Sequence, residues 1–226
     1  MPSGDSWACS DPGTTRISPL DTTTALIRLN AHLPLAERQA ALTDHHRELH
    51  RSILRWFADH GTAPLAADLG IDRAGFDRAI GRLARRDLVV VVDGRITGAY
   101  PFTTEATVHR VSLGGVEVRA MCSLDAVAIA PMFARSTMVT SICVSGEPVM
   151  ITMDGQTVVS TDPPTIHLGI GFQQTHGCAA TSLCRDMVFL PDRQTALDWQ
   201  GHGADRAVFD LEAGVELAVR LFGPLV

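Results

Sequence analysis

Met121-Cys122-Ser123-Leu124-Asp125-Ala126-Val127-Ala128-Ile129 is the stretch around which the rest of this 226-residue chain is organised. The residues just before it, 116–121, partly alternate between apolar and polar side chains, which is typical of a strand. Apolar residues then recur at the three- and four-residue spacing of a helix. The pattern predicts a strand that ends near Met121 and a helix that begins at or just after Cys122.

A cysteine at a helix N-terminus has a distinct electrostatic setting. Exposed backbone N–H groups and the helix dipole favour an anion there, and this setting can lower the pKa of a thiol. Asp125, three positions after Cys122, can turn back toward the sulfur. The same spacing also fits a buried structural cysteine followed by an acidic capping residue. Local sequence alone leaves both interpretations open.

The bulk composition excludes several classes of protein. Hydrophobic residues make up 46% of the chain and charged residues 19%, which is typical of a globular protein. The net charge of −6 argues against a protein devoted to nucleic acids. We see neither a secretory signal nor an apolar run long enough to span a membrane. We therefore expect a cytoplasmic protein whose five cysteines are thiols or metal ligands rather than disulfides.

The first half of the chain predicts a flexible tail followed by a small helical domain. Residues 1–21 are rich in Ser, Thr, Gly, Pro and Asp, and they include Cys9, to which we assign no role. Residues 22–99 predict helices, then a strand, and then a hairpin turn at Asp93-Gly94. This order is typical of a winged helix-turn-helix domain. Five arginines between 73 and 86 could contact DNA or simply face solvent, and the acidic chain favours the second interpretation.

Residues 100–226 predict a second domain made mainly of short strands. Turn signals such as Gly114-Gly115 and Asp154-Gly155 separate short β-prone runs, which indicates an antiparallel sheet. We expect the segment 183–190 to be a strand, and the segments 193–200 and 211–221 to be helices. The predicted fold class is therefore α+β, with a winged-helix-like module packed on a mainly antiparallel sheet that has flanking helices.

The other cysteines and the histidines carry weaker signals. Cys143 lies in an apolar strand context that favours burial as a small hydrophobic residue. Cys184 is followed by Arg185, which could stabilise a thiolate. Cys178 and His176 share a loop, and His176 and His167 are candidate ligands or bases, although isolated histidines usually serve neither role. Nothing local indicates that Cys122 and Cys184 meet.

Three segments in this order resemble the alkylmercury lyases of bacterial mercury resistance. Residues 118–126 resemble the family's C-A-L-D-T segment, and residues 141–149 resemble its next cysteine, which a small-G-x-P-V turn follows. Cys184 precedes Trp199 by fifteen residues, a distance that is similar to the family's last reactive cysteine and its closing tryptophan. The predicted winged-helix-like module also fits the family, and the resemblance spans roughly residues 34–221.

This resemblance implies a set of site residues. It places the family's two catalytic cysteines on Cys122 and Cys184, its catalytic aspartate on Asp125, and a structural cysteine on Cys143. The same three residues, Cys122, Cys184 and Asp125, would hold the product Hg²⁺. Some members carry an aromatic residue where this chain has Met121, and a Cys-Cys-His run where it has Cys184-Arg185-Asp186. These departures predict a different substrate range rather than a different chemistry.

The implied function is protonolysis of a carbon–mercury bond, giving R–H and Hg²⁺, in mercury detoxification. The expected substrate is a small organomercurial, no cofactor is expected, and a mercuric reductase or cellular thiols are the expected acceptors of Hg²⁺. The alternatives are a winged-helix regulator that binds soft metals such as mercury or copper, and a non-catalytic relative that only binds metal. Asp125 argues against both, because neither activity requires a proton donor at the metal.

Overall fold

The computed structural model describes residues 20–172, 178–201 and 203–226. Most of the predicted tail, with Cys9, lies outside these residues, and so does His176. Leu20 and Asp21 are described, and Asp21 caps the first helix by accepting a hydrogen bond from the Thr24 backbone N–H. No helix within the described ranges has the length and apolarity needed to cross a membrane.

Residues 20–103 form four helices and a small sheet. The helices are α1 (Thr22–His32), α2 (Leu35–Ala40), α3 (Asp44–His60) and α4 (Arg73–Arg85), and the strands are β1 (Val89–Val92), β2 (Arg95–Ala99) and β3 (Phe102–Thr103). The predicted hairpin at Asp93-Gly94 is confirmed, because β1 and β2 pair antiparallel and both turn residues have positive φ. The short strand β3 adds a third strand beside β2.

The second half begins with two strands and the helix predicted to follow Cys122. Its first strands are β4 (Arg110–Leu113) and β5 (Val116–Arg119), and its first helix is α5 (Ser123–Phe133). Four more strands follow, β6 (Ser136–Ile142), β7 (Pro148–Asp154), β8 (Thr157–Asp162) and β9 (His167–Gly171). The chain ends with β10 (Met187–Leu190), α6 (Arg193–Gln200), β11 (Arg206–Asp210) and α7 (Leu211–Phe222).

The predicted α+β class with antiparallel sheets is confirmed. One sheet has the strand order β5-β4-β6-β7-β8, and a second has the order β10-β9-β11. Every pairing in both sheets is antiparallel. A backbone hydrogen bond of 3.1 Å from Val144 to Phe189 connects the end of β6 to β10 and so joins the two sheets.

Two local predictions for the second half were wrong. Residues 183–186 form a 3-10 helix rather than the start of a strand, so Cys184 lies in a helical turn just before β10. The strand β11 was not predicted, although its five residues pair along the whole of β9. A short apolar run flanked by loops gives little periodic signal, and its partner strand decides its conformation.

The helix α5 lies at the centre of the second half. It is apolar almost all round, as expected of a buried helix, and it contacts α7, β4, β6 and β10. Aromatic side chains connect it to the N-terminal helices, because Phe102 of β3 lies between Phe57 of α3 and Phe133 at the end of α5. The N-terminus of α5 therefore sits where the N-terminal helices, the larger sheet and β10 come together.

Candidate functional site

The backbone around Cys122 is held on both sides. Ala120 forms an isolated bridge with Phe102, and the Met121 N–H donates to the Pro101 carbonyl at 3.3 Å. Cys122 is the N-cap of α5 in an extended conformation, as predicted, and its sulfur accepts from the Asp125 N–H at 3.5 Å. Its side chain is therefore fixed at the helix N-terminus and does not point into solvent.

Asp125 joins the two distant cysteines. The Cys122 thiol donates to Asp125 Oδ2 at 3.0 Å, and the Cys184 thiol lies 3.8 Å from the same oxygen. One ligand atom from each of the three residues lies within 4.8 Å of the other two. Their exposed fractions are 1% for Cys122, 1% for Asp125 and 6% for Cys184. The structure thus brings together, in a buried position, the three residues that the family resemblance selects.

Burial sets the protonation of this cluster. It raises the pKa of the Cys122 thiol well above its ordinary value, and the neighbouring Cys184 and the Asp125 charge raise it further. The expectation that the helix N-terminus lowers this pKa was therefore wrong, because loss of water outweighs the dipole. Burial also raises the pKa of Asp125 to about 7, against hydrogen bonds from the two thiols that lower it.

Cys184 has the same protonated resting state for a slightly different reason. A hydrogen bond with Cys122 lowers its pKa, but burial and the charge of Asp125 outweigh that effect, and the net shift is upward. Arg185, which could have stabilised a thiolate here, has an exposed side chain. The protein therefore holds two neutral thiols around a carboxyl group whose pKa is about 7.

A cleft of about 380 Å³ reaches the cluster from the surface. Cys184, Met187 and Cys143 contribute to its walls, together with His109. Cys122 and Asp125 are not among its lining residues, so they lie behind Cys184 as seen from the cleft. An apolar group attached to a soft cation could enter along this route and meet Cys184 first.

His109 is a cleft residue that sequence reasoning missed. Its Nδ1 lies 2.8 Å from the Ser141 hydroxyl, and its ring packs edge-on against Phe189. Burial lowers its pKa to about 4, so the ring is neutral at pH 7. A single histidine between Val108 and Arg110 has no motif around it. Only the structure, which places the start of β4 at the cleft, could identify it.

The remaining candidates lie away from the cluster. Cys143 is buried in the cleft wall, with its sulfur 3.1 Å from the Ser145 hydroxyl. Cys178 is half-buried and contacts Asp87 and Tyr100 at 3.1 and 3.3 Å. His167 begins β9, where burial lowers its pKa. It pairs with Leu190, at the opposite end of β10 from Met187 and Cys184.

Comparisons with known proteins agree with this geometry. A family model described as alkylmercury lyase matches residues 102–223, just over half of the chain. The alkylmercury lyase of Staphylococcus epidermidis is 27% identical over 129 residues, which cover 57% of this chain and 59% of that protein. The alkylmercury lyase of Bacillus cereus is 28% identical over 131 residues, with 58% and 59% covered. The chain thus matches about three fifths of the length of these curated relatives.

A solved structure extends the likeness to the whole fold. The mercury-bound form of MerB2 superposes with a TM-score of 0.70 at 20% sequence identity. The match covers 85% of this chain and 98% of that one. The N-terminal helices, which the family model does not include, therefore share in the structural similarity.

Proposed function

This chain belongs to the alkylmercury lyase family, and on that premise we propose that it cleaves carbon–mercury bonds by protonolysis. The substrate is a small organomercurial cation, R–Hg⁺, and the products are R–H and Hg²⁺. Cys122, Asp125 and Cys184 are the proposed catalytic residues, and the same three hold the product ion. The observation that carries this proposal is the convergence of their three ligand atoms within 4.8 Å in a buried position.

The residue types match what the reaction demands. Hg²⁺ is a soft cation, and thiolates are its preferred ligands. Breaking the Hg–C bond leaves the electron pair on carbon, so that carbon must receive a proton as the bond breaks. A carboxyl group with a pKa near 7 can both accept and release a proton at neutral pH. Asp125 has that pKa and touches both thiols.

The geometry supports the following order of events. R–Hg⁺ enters through the cleft and binds the sulfur of Cys184, the cysteine of the pair that lines it. Formation of the Hg–S bond displaces the thiol proton, because a coordinated thiol is deprotonated. Asp125 Oδ2, 3.8 Å from that sulfur, is placed to accept this proton.

The second thiol completes the reaction. Cys122 Sγ loses its thiol proton to solvent as it bonds to the same mercury, and the new thiolate ligand adds electron density that weakens the Hg–C bond. Asp125 delivers its proton to the departing carbon, and Hg²⁺ remains bound to two sulfurs. The balance is R–Hg⁺ plus two thiols giving R–H, a dithiolate–Hg²⁺ complex and one proton released to solvent. The high pKa of both free thiols keeps them unreactive toward other electrophiles until mercury arrives.

No organic cofactor takes part in this scheme. Hg²⁺ leaves by exchange onto external thiols or onto a mercuric reductase, because thiol exchange is the available route for so tightly bound an ion. The thiols must remain reduced for either step, which favours a reducing compartment such as the cytoplasm.

Residues 100–226 form the catalytic domain in this proposal, and residues 22–99 form a winged-helix-like module. The helices α3 and α4 followed by the β1–β2 hairpin support that description. The exposed arginines of α4, Arg73, Arg78, Arg82 and Arg85, would face solvent rather than DNA. A gel shift with the upstream DNA of the protein's own gene tests this point, and a specific shift would favour the metal-responsive regulator instead.

The direct test is incubation of the protein with phenylmercury and excess thiol, followed by measurement of benzene. We expect catalytic release of benzene by the natural protein and none above background by Cys122→Ser. Hg²⁺ should appear on the external thiol in equal amount. Absence of benzene from the natural protein, with phenylmercury bound, would leave a mercury-binding relative as the correct description.

A further inference from the structure

Met187 brings a thioether sulfur to the site, beside the two cysteine thiols. It is the first residue of β10 and is 4% exposed. Its Sδ lies 3.4 Å from Cys122 Sγ, so the two sulfurs are in direct contact. Met187 also lines the cleft beside Cys184. A thioether therefore touches one proposed mercury ligand and shares a wall with the other.

The backbone holds this thioether in place. The Met187 N–H donates to the Cys184 carbonyl at the end of the 3-10 helix, and Met187 pairs with Ile170 in the neighbouring strand β9. The residue that carries the sulfur is thus connected to Cys184 by a backbone hydrogen bond. A rearrangement that moved Cys184 toward a bound ion would move Met187 with it.

From this geometry we infer that Met187 supplies a third, neutral sulfur contact to mercury, a longer and weaker bond than those of the two thiolates. A thioether is a soft ligand, and a long methionine bond beside stronger thiolate and imidazole ligands is known from copper sites. Because a thioether carries no charge, it can remain buried whichever protonation states the neighbouring thiols and carboxyl group adopt. The inference rests on the proposed function for the identity of the metal.

The contact has a consequence for how mercury is held. Two thiolates favour a linear S–Hg–S arrangement. A third sulfur that contacts the mercury from the side keeps hold of the ion when one thiolate is displaced, and so slows its release. Met187 would therefore favour retention of Hg²⁺ until an external thiol enters the cleft. It would act on metal binding and release more than on the proton transfer through Asp125.

The experiment uses the full chain labelled with selenomethionine and loaded with one equivalent of Hg²⁺. Mercury-edge X-ray absorption then separates a thioether contact, seen as Hg–Se, from the cysteine contacts, seen as Hg–S. We expect two short Hg–S distances and one longer Hg–Se distance in the natural sequence. Met187→Leu, which keeps a similar volume, should lose the Hg–Se contact. Met153→Leu, a matched change at a fully buried methionine of β7, should keep it.

A binding measurement gives the functional size of the effect. In competition with dithiothreitol, Met187→Leu should retain Hg²⁺ about tenfold less well than the natural sequence, the low end of what supporting groups contribute at metal sites. Met153→Leu should match the natural sequence. Retention by Met187→Leu equal to that of the natural protein would overturn the inference, and so would the lack of Hg–Se in the labelled natural protein.

The second of these outcomes needs no variant, so it decides the matter even if Met187→Leu folds poorly. Both measurements use Hg²⁺ rather than an organomercurial. Failure to release benzene from phenylmercury would therefore contradict the proposed lyase activity. The Met187 contact would still be tested by the two Hg²⁺ measurements.

Discussion

Within the described part of the chain, two cysteine–aspartate pairs lie at nearly the same distance, yet their surroundings differ. Cys122 Sγ lies 3.0 Å from Asp125, and Cys178 Sγ lies 3.1 Å from Asp87. The first pair is buried at the N-terminus of α5. The second is partly exposed at the turn after α4, where Asp87 adopts a positive φ of 50°.

The two carboxylates have different partners. Asp87 forms an ion pair with Arg38 at 3.1 Å, and it accepts from the Tyr100 hydroxyl at 2.9 Å and from the Ala179 N–H at 3.3 Å. These donors compensate a negative charge. Asp125 meets two neutral thiols in a dry place, and burial raises its pKa to about 7.

In the proposed function, the same two residue types serve chemistry in one place and structure in the other, according to the surrounding donors. An uncompensated carboxyl group with a pKa near 7 can take a proton from a thiol and pass it on. A carboxylate whose charge is compensated by nearby donors holds chain segments together. Asp87 in this way connects the turn after α4 to the start of the segment that carries Cys184.

The largest difference should appear in activity. Cys184→Ser should lower benzene release from phenylmercury by at least ~1,000-fold, because one thiolate cannot both hold mercury and activate the Hg–C bond. Cys178→Ser should stay within about threefold of the natural protein, since its thiol acts within a network that hydroxyl chemistry can replace. Gas chromatography of released benzene measures both. Full release by Cys184→Ser would end the two-thiolate scheme.

The next largest difference should be in stability, with opposite signs for the two aspartates. Between pH 3.8 and 7 the native state keeps the Asp125 proton that the unfolded chain has lost, so stability falls as pH rises through this window. Asp125→Asn removes this loss. The difference in the free energy of unfolding between Asp125→Asn and the natural protein should therefore shift by about 3 kcal/mol in favour of Asp125→Asn when the pH is raised from 5 to 8.5.

Asp87→Asn is the matched substitution, and asparagine tolerates the positive φ at this position. It should lower the free energy of unfolding by about 1–3 kcal/mol, because Arg38 and Tyr100 lose a charged partner. Urea titrations at the two pH values measure both variants. The contrast between the pairs would be contradicted if Asp87→Asn raised the free energy of unfolding, or if the effect of Asp125→Asn on that free energy did not depend on pH.

A smaller effect should follow from Tyr100→Phe. The hydroxyl donates to Asp87 and accepts from the Ala180 N–H at 2.9 Å, so its removal leaves that amide without its partner. We expect a stability loss of about 1 kcal/mol and faster hydrogen exchange at the Ala180 amide. Unchanged exchange at that amide would show that Tyr100 does not hold the segment that leads to Cys184.

The smallest effect should come from Cys143. Its sulfur contacts Ser145, which in turn donates to Glu147, at the edge of the cleft. Cys143→Ala should therefore change benzene release by less than about threefold and cost about 1 kcal/mol of stability. A loss of activity as large as that of Cys184→Ser would make Cys143 a third mercury ligand during the reaction.

Local signals account for what could be predicted from sequence. Asp192 caps α6 as its position indicates, Asp93-Gly94 makes the hairpin, and Cys122 caps α5 with Asp125 turned back toward it. Each depends on contacts within four residues. The strand β11 and the 3-10 turn around Cys184 depend on partners elsewhere in the chain, and their segments carry no pattern of their own.

The candidate site divides in the same way. The contact between Cys122 and Asp125 follows from a spacing of three on a helix. The approach of Cys184 across the fold could be expected only from the family resemblance. The direction of the thiol pKa was mispredicted because the helix terminus is visible in the sequence, whereas the burial that outweighs it is created by α7, β6 and β10 around α5.

The central claim is that Asp125 delivers the proton that frees the carbon, and a single-turnover experiment tests it most directly. Phenylmercury is bound in equal amount to the natural protein and to Asp125→Asn, and both benzene and protein-bound mercury are measured over time. The natural protein should release one benzene per site and keep one Hg²⁺. Asp125→Asn should keep its mercury as phenylmercury and release no benzene. Benzene release from Asp125→Asn at the natural rate would contradict the account.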